Sequence, residues 1–97
     1  MAIPKKLLDE AMVGDAQAQL EVGRLYAGGG AGHYDLEEAF LWFEKAADSD
    51  LPDAVLEVAL AKEYGLGVDR DHEVAFAAYM RAARLYRGPL PFTIRGL

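Results

Sequence analysis

Few residues in this chain have the types and spacing that chemistry needs. The stretch Gly28 to Gly32, with four glycines, invites a phosphate-cradling loop. No Gly-Lys-Ser/Thr follows it, and it precedes a helical pattern without following a strand, so the phosphate reading fails and a connector remains. His33 with Asp35, and Asp71-His72-Glu73, offer imidazole and carboxylate together. Each group holds a single histidine, and neighbours at a helix start do not converge on one ion, so capping and loop polarity explain them better than metal binding. Ser49 is the only serine and there is no cysteine, which removes a serine triad, a thiol nucleophile and a disulfide. Carboxylates are abundant but fall at helix starts and on polar faces. These residues predict no enzyme, no cofactor and no metal site.

The chain's organisation lies in a repeat. Asp35 to Ala47 (DLEEAFLWFEKAA) recurs 36 positions later as Asp71 to Ala83 (DHEVAFAAYMRAA). At this one offset there are eleven identities: Ala18/Ala54, Leu20/Leu56, Glu21/Glu57, Val22/Val58, Gly29/Gly65, Asp35/Asp71, Glu37/Glu73, Ala39/Ala75, Phe40/Phe76, Ala46/Ala82 and Ala47/Ala83. A period between 20 and 50 residues is the signature of a stacked-repeat architecture. The 97 residues carry a net charge of −6 and 53% hydrophobic residues. That acidity argues against nucleic acid as a partner, because phosphate contacts want a basic face. No window approaches a membrane span, and MAIPKKLLDEAM lacks the apolar run of a signal peptide, which points to a cytoplasmic location.

Five helices follow from the apolar spacing. Lys5 to Val13 places Leu7, Leu8, Ala11 and Met12 on one face. Asp15 caps Ala16 to Ala27, whose buried stripe is Ala18, Val22, Leu25 and Tyr26, with Leu20 at its edge. Gly23 costs about 1 kcal/mol in mid-helix, acceptable where another helix must come close. Gln17, Glu21 and Arg24 form a separate polar face. Asp35, with Glu38 as a capping-box partner, starts a helix to about Ser49 whose wide apolar stripe holds Ala39, Trp42, Phe43, Ala46 and Ala47. Pro52 and Asp53 open the fourth helix, to about Tyr64, and Asp71 caps the fifth, to about Arg87. Trp42 is expected to anchor the core between the two copies. Gly88, Pro89 and Pro91 forbid further helix, and the alternating Leu90, Phe92 and Ile94 predict an extended tail docked on the open end, within the chain or in a second copy as a homo-oligomer contact.

The run from Gly14 to Ala47 resembles a Sel1-like repeat, a relative of the tetratricopeptide repeat. Ala16, Ala18, Gly23, Tyr26, Gly29, Asp35, Ala39, Trp42, Phe43, Lys45, Ala46 and Ala47 carry the pattern in the first copy, and Ala54, Gly65, Gly67, Val68, Asp71, Ala75, Tyr79, Ala82 and Ala83 carry it in the second. The second copy departs from it at Ala59, Lys62 and Ala78, where the pattern has glycine, tyrosine and tryptophan. The resemblance implies an all-α, right-handed solenoid within one domain: a cap helix (1–13), repeat 1 (14–49), repeat 2 (50–87) and a tail (88–97). It also implies an interaction scaffold or adaptor, in which the first helix of each pair lines a groove for a partner protein or peptide. The groove residues would be Gln17, Glu21 and Arg24 from one copy and Asp53, Leu60 and Glu63 from the other. Size and acidity also fit a small inhibitor or immunity protein that blocks a toxin or enzyme, and an accessory domain of a longer repeat chain remains open as well.

Overall fold

A computed structural model describes residues 3–87, and the docked-tail expectation at Leu90, Phe92 and Ile94 lies outside them. The described residues form five α-helices and no strand: α1 (Lys5–Met12), α2 (Ala16–Gly28), α3 (Leu36–Ala47), α4 (Pro52–Tyr64) and α5 (His72–Tyr86). Each packs on the helices next to it in sequence, so the architecture is an all-α solenoid of stacked helix pairs. In it α2 and α4 are the first helices of their pairs, α3 and α5 the second, and α1 takes the place of a second helix before the first pair.

Helix starts are set locally. The carboxylates of Asp15, Asp35 and Asp71 accept from the backbone N–H of Ala18, Glu38 and Val74 at 2.9, 3.0 and 3.1 Å, each satisfying one of the free donors of a first turn. The reciprocal half of the expected capping box is replaced by a longer-range bond. The Asp35 N–H donates to the Tyr26 carbonyl at 3.1 Å, and 36 positions on the Asp71 N–H donates to Lys62 at 2.8 Å. This bond closes each helix pair, so Asp at this position serves the turn through its backbone as well as its side chain.

Two cores divide the work. Ala11, Ala18, Val22 and Trp42 pack together beneath Ile3, Leu7 and Leu8. Leu20, Phe43, Ala46, Val55, Leu56, Ala59, Tyr79 and Ala82 belong to the larger core that joins the two repeats. Trp42 therefore seals α1 onto the first repeat, and the position expected for it between the repeats is filled by Phe43. The physical reason is that α3 faces both neighbours: side chains one position apart on it point to different interfaces. The same geometry corrects Leu20, which is 0% exposed and not at an edge, because it joins side chains of α3 and α4 in the larger core while its neighbours Ala18 and Val22 face α1. Met12, expected on the buried face of α1, is 68% exposed at the last residue of that helix.

Gly23 marks the closest approach of α2 and α3. A Cβ there would lie 2.6 Å from the Phe43 ring and 3.2 Å from the Ala39 carbonyl oxygen. The cost of a mid-helix glycine is offset by this contact, the close helix approach expected of it from the sequence. Where α3 ends, Asp50 adopts a left-handed conformation (φ 59°) and pairs with Arg81, which also donates to the Ala47 carbonyl at 2.9 Å. The matching carbonyl one repeat earlier, Ala11, accepts instead from the buried Gln19 amide at 3.1 Å. The C-terminal ends of α1 and α3 are thus each satisfied by the pair that follows, through different side chains at the two interfaces.

Candidate functional site

The residues with chemical potential resolve into structural roles. Asp35 and Asp71 are helix caps, His33 makes an edge contact with the Tyr26 ring at 6.1 Å, and His72 meets the Arg70 guanidinium at 3.3 Å. Gly29 caps the C-terminal end of α2 in a left-handed conformation. Among the described residues no group of three or more His, Asp or Glu side chains converges, and no helix is long and apolar enough to cross a membrane.

Gln17, Glu21 and Arg24 are exposed on α2, and Asp53 is exposed on α4. Leu60 and Glu63 are half-buried on α4. Four groups come together where α2, α4 and the end of α5 meet. Arg24 Nε lies 3.9 Å from Glu57 Oε2, joining the first helices of the two pairs. Asp53 sits close enough to Glu57 to raise its proton affinity, and accepts a hydrogen bond from the Tyr86 hydroxyl. Burial is the largest influence on Glu57 and lifts its carboxyl above the usual range, Arg24 pulls it down, and Asp53 adds to the rise. Burial and the bond to Asp53 push the Tyr86 hydroxyl up to about 12. Glu63 turns away from this group and accepts from the Tyr79 hydroxyl on α5.

A cavity of about 100 Å³ opens beside them, between the end of α2, the start of α3 and the middle of α4. Leu36, Phe43, Leu60 and Leu66 line it, with Glu57 as the charged member. Glu57 was not among the groove residues read from the sequence. The signal was present: it is the copy-mate of Glu21, which was.

The fold defines the chain first as a solenoid of stacked helix pairs. Comparison with known families then gives the particular one: the Sel1 repeat family model matches residues 16–51 and 52–86, and the chain belongs to that family. A solved structure of a Sel1 repeat protein from Oxalobacter formigenes is similar, at 33% identity and a TM-score of 0.78. The alignment covers 80% of this chain and 59% of that one, so this chain matches little more than half of that protein's length. Comparison with curated proteins finds no significant match. Sel1 repeat proteins generally mediate contacts between proteins.

Proposed function

We propose that this chain is an interaction module that holds a partner protein or peptide along the face formed by α2 and α4. The observation that carries this reading is the open apolar cavity between α2, α3 and α4, with Leu60 in its wall and the Arg24–Glu57 pair at its margin. A packed core leaves few voids that water could enter, whereas binding sites are concave, mainly apolar and edged by a few polar groups. Matched positions on this face differ in chemistry, Gln17 against Asp53 and Arg24 against Leu60, as a surface for a particular partner requires and a purely structural one does not. Asp53 and Glu63 are engaged by Tyr86 and Tyr79, so in this reading they position α4 against α5, while Gln17, Glu21, Arg24 and Leu60 meet the partner.

Arg24→Glu and Leu60→Asp are each expected to reduce capture of a partner from the native host by tenfold or more, the loss typical of a central contact. Arg24→Glu leaves melting close to the starting protein, whereas Leu60→Asp, at a half-buried position packed on the core, lowers the melting temperature while circular dichroism stays helical. Retained capture by both variants would move the site to the loops or the opposite face.

A second reading, that these repeats act as part of a longer array, is favoured by Phe76. Its copy-mate Phe40 is 6% exposed beneath α4, where the Lys62 ammonium lies 5.6 Å from its ring, whereas Phe76 is 49% exposed. A following first helix would cover it in the same way.

A further inference from the structure

The cavity between α2, α3 and α4 combines a narrow apolar chamber with one carboxylate that is poorly matched by its surroundings. Its volume, about 100 Å³, is below the roughly 150 Å³ that holds a benzene ring. A slim aliphatic chain therefore suits it better than an aromatic side chain. Glu57 is only 25% exposed at its side chain, and its nearest cation, Arg24, is 3.9 Å away and itself 51% exposed. That separation is too long for a charge-assisted hydrogen bond. The carboxylate is thus largely removed from water without a close donor from Arg24. The groups around it are Arg24 from α2, Asp53 from its own helix and Tyr86 from α5. Burial outweighs Arg24 in setting its proton affinity, so the site as it stands under-stabilises the negative charge.

The wider face has the same sign. Glu21, Asp53 and Glu57 supply three carboxylates against one cation, Arg24, in a chain whose net charge is −6. A partner drawn to this face is selected for positive charge. Lysine and arginine combine a slim apolar stem with a cationic end, and they bury the stem along apolar surface while the head finds a polar partner.

We propose that this cavity receives a lysine or arginine side chain of a partner peptide, its stem against Leu36, Leu60 and Leu66 and its cationic end on Glu57. The assignment specifies the partner of the α2–α4 face and rests on that reading. The incoming cation supplies the close donor that Arg24 does not, and the stem fills space that the fold leaves open.

The test is selection of displayed random heptapeptides on the whole chain, followed by affinity measurements on synthetic versions. The expected result is a lysine or arginine at one fixed position of the selected peptides. Replacing that residue by norleucine, which keeps the stem and removes the charge, weakens binding about tenfold, the size of a partly buried charge contact. Glu57→Gln, nearly isosteric and checked by melting, weakens the cationic peptide to the same extent and leaves the norleucine peptide unchanged. Peptides without a fixed cation that still lose affinity on Leu60→Asp overturn the cation pocket and leave the α2–α4 face standing. Peptides indifferent to both Leu60→Asp and Arg24→Glu overturn the face itself, and a library that yields no binder overturns both.

Discussion

Trp42→Ala is expected to lower the unfolding free energy by about 3–5 kcal/mol, the range for removing a large buried aromatic side chain. The indole is 5% exposed, enclosed by Ala11, Ala18 and Val22 with Leu7, Leu8 and Tyr26 around them. The Lys45 ammonium lies 4.3 Å from its ring centroid and adds a cation–π contact of about 0.5–1 kcal/mol. A loss of this size approaches the ~5 kcal/mol lower bound for a whole domain. Because Trp42 joins α1 to the first repeat, the damage is directional. Amide exchange in Lys5–Met12 should rise to that of an open segment, while α4 and α5, held by the other core, keep more of their protection. Equal loss of protection in all five helices, or an unfolding curve unchanged from the parent, would contradict the assignment of the ring to the α1 interface.

Gly67→Ala is expected to be nearly as damaging, although Gly67 lies in a loop. Its φ is +78°, and a Cβ there would stand 2.0 Å from the Leu36 carbonyl oxygen and 2.7 Å from the Glu37 nitrogen, both backbone atoms at the start of α3. The left-handed conformation costs about 1–2 kcal/mol for a residue with a side chain, and relieving the contact costs a further ~1–3 kcal/mol of overpacking. Gly65→Ala is the control. It shares the conformation, at φ +72°, but its Cβ meets the flexible Arg70 side chain at 2.9 Å, so only the backbone cost applies. Chemical denaturation should rank Gly67→Ala well below Gly65→Ala; equal midpoints would show that the loop moves off α3 without loss. The copy-mate of Gly67 is Ala31, which does not adopt a positive φ. The first loop takes a different path, with its positive φ values at Gly29 and Gly32.

What was legible in the sequence was what depends on local chemistry or on the period. The caps at Asp15, Asp35 and Asp71 rest on a side chain reaching three residues forward, and the role of Gly23 rests on a helix needing room. Both survive any change in what packs outside them. The interface served by each apolar side chain was less legible. A solenoid helix has neighbours on two flanks, so one apolar stripe holds two sets of contacts; periodicity gives its width and not its division. That is why Trp42 and Phe43, adjacent in sequence, belong to different cores and why Leu20 is fully buried. Bonds between distant residues were invisible for the same reason: nothing around Asp53 or Glu63 signals that Tyr86 and Tyr79 will reach them from α5. Glu57 sits between these cases, since the repeat offset placed it on the same face as Glu21 while its burial depended on how α2 and α4 stack.

The most direct measurement of the central claim is a backbone amide NMR map of the chain titrated with a captured partner or a selected peptide. The account predicts shifts concentrated at Glu21 and Arg24 on α2 and at Glu57 and Leu60 on α4, extending to Leu36 and Leu66 at the cavity. Shifts confined to the outer faces of α3 and α5, with α2 and α4 unmoved, would contradict it.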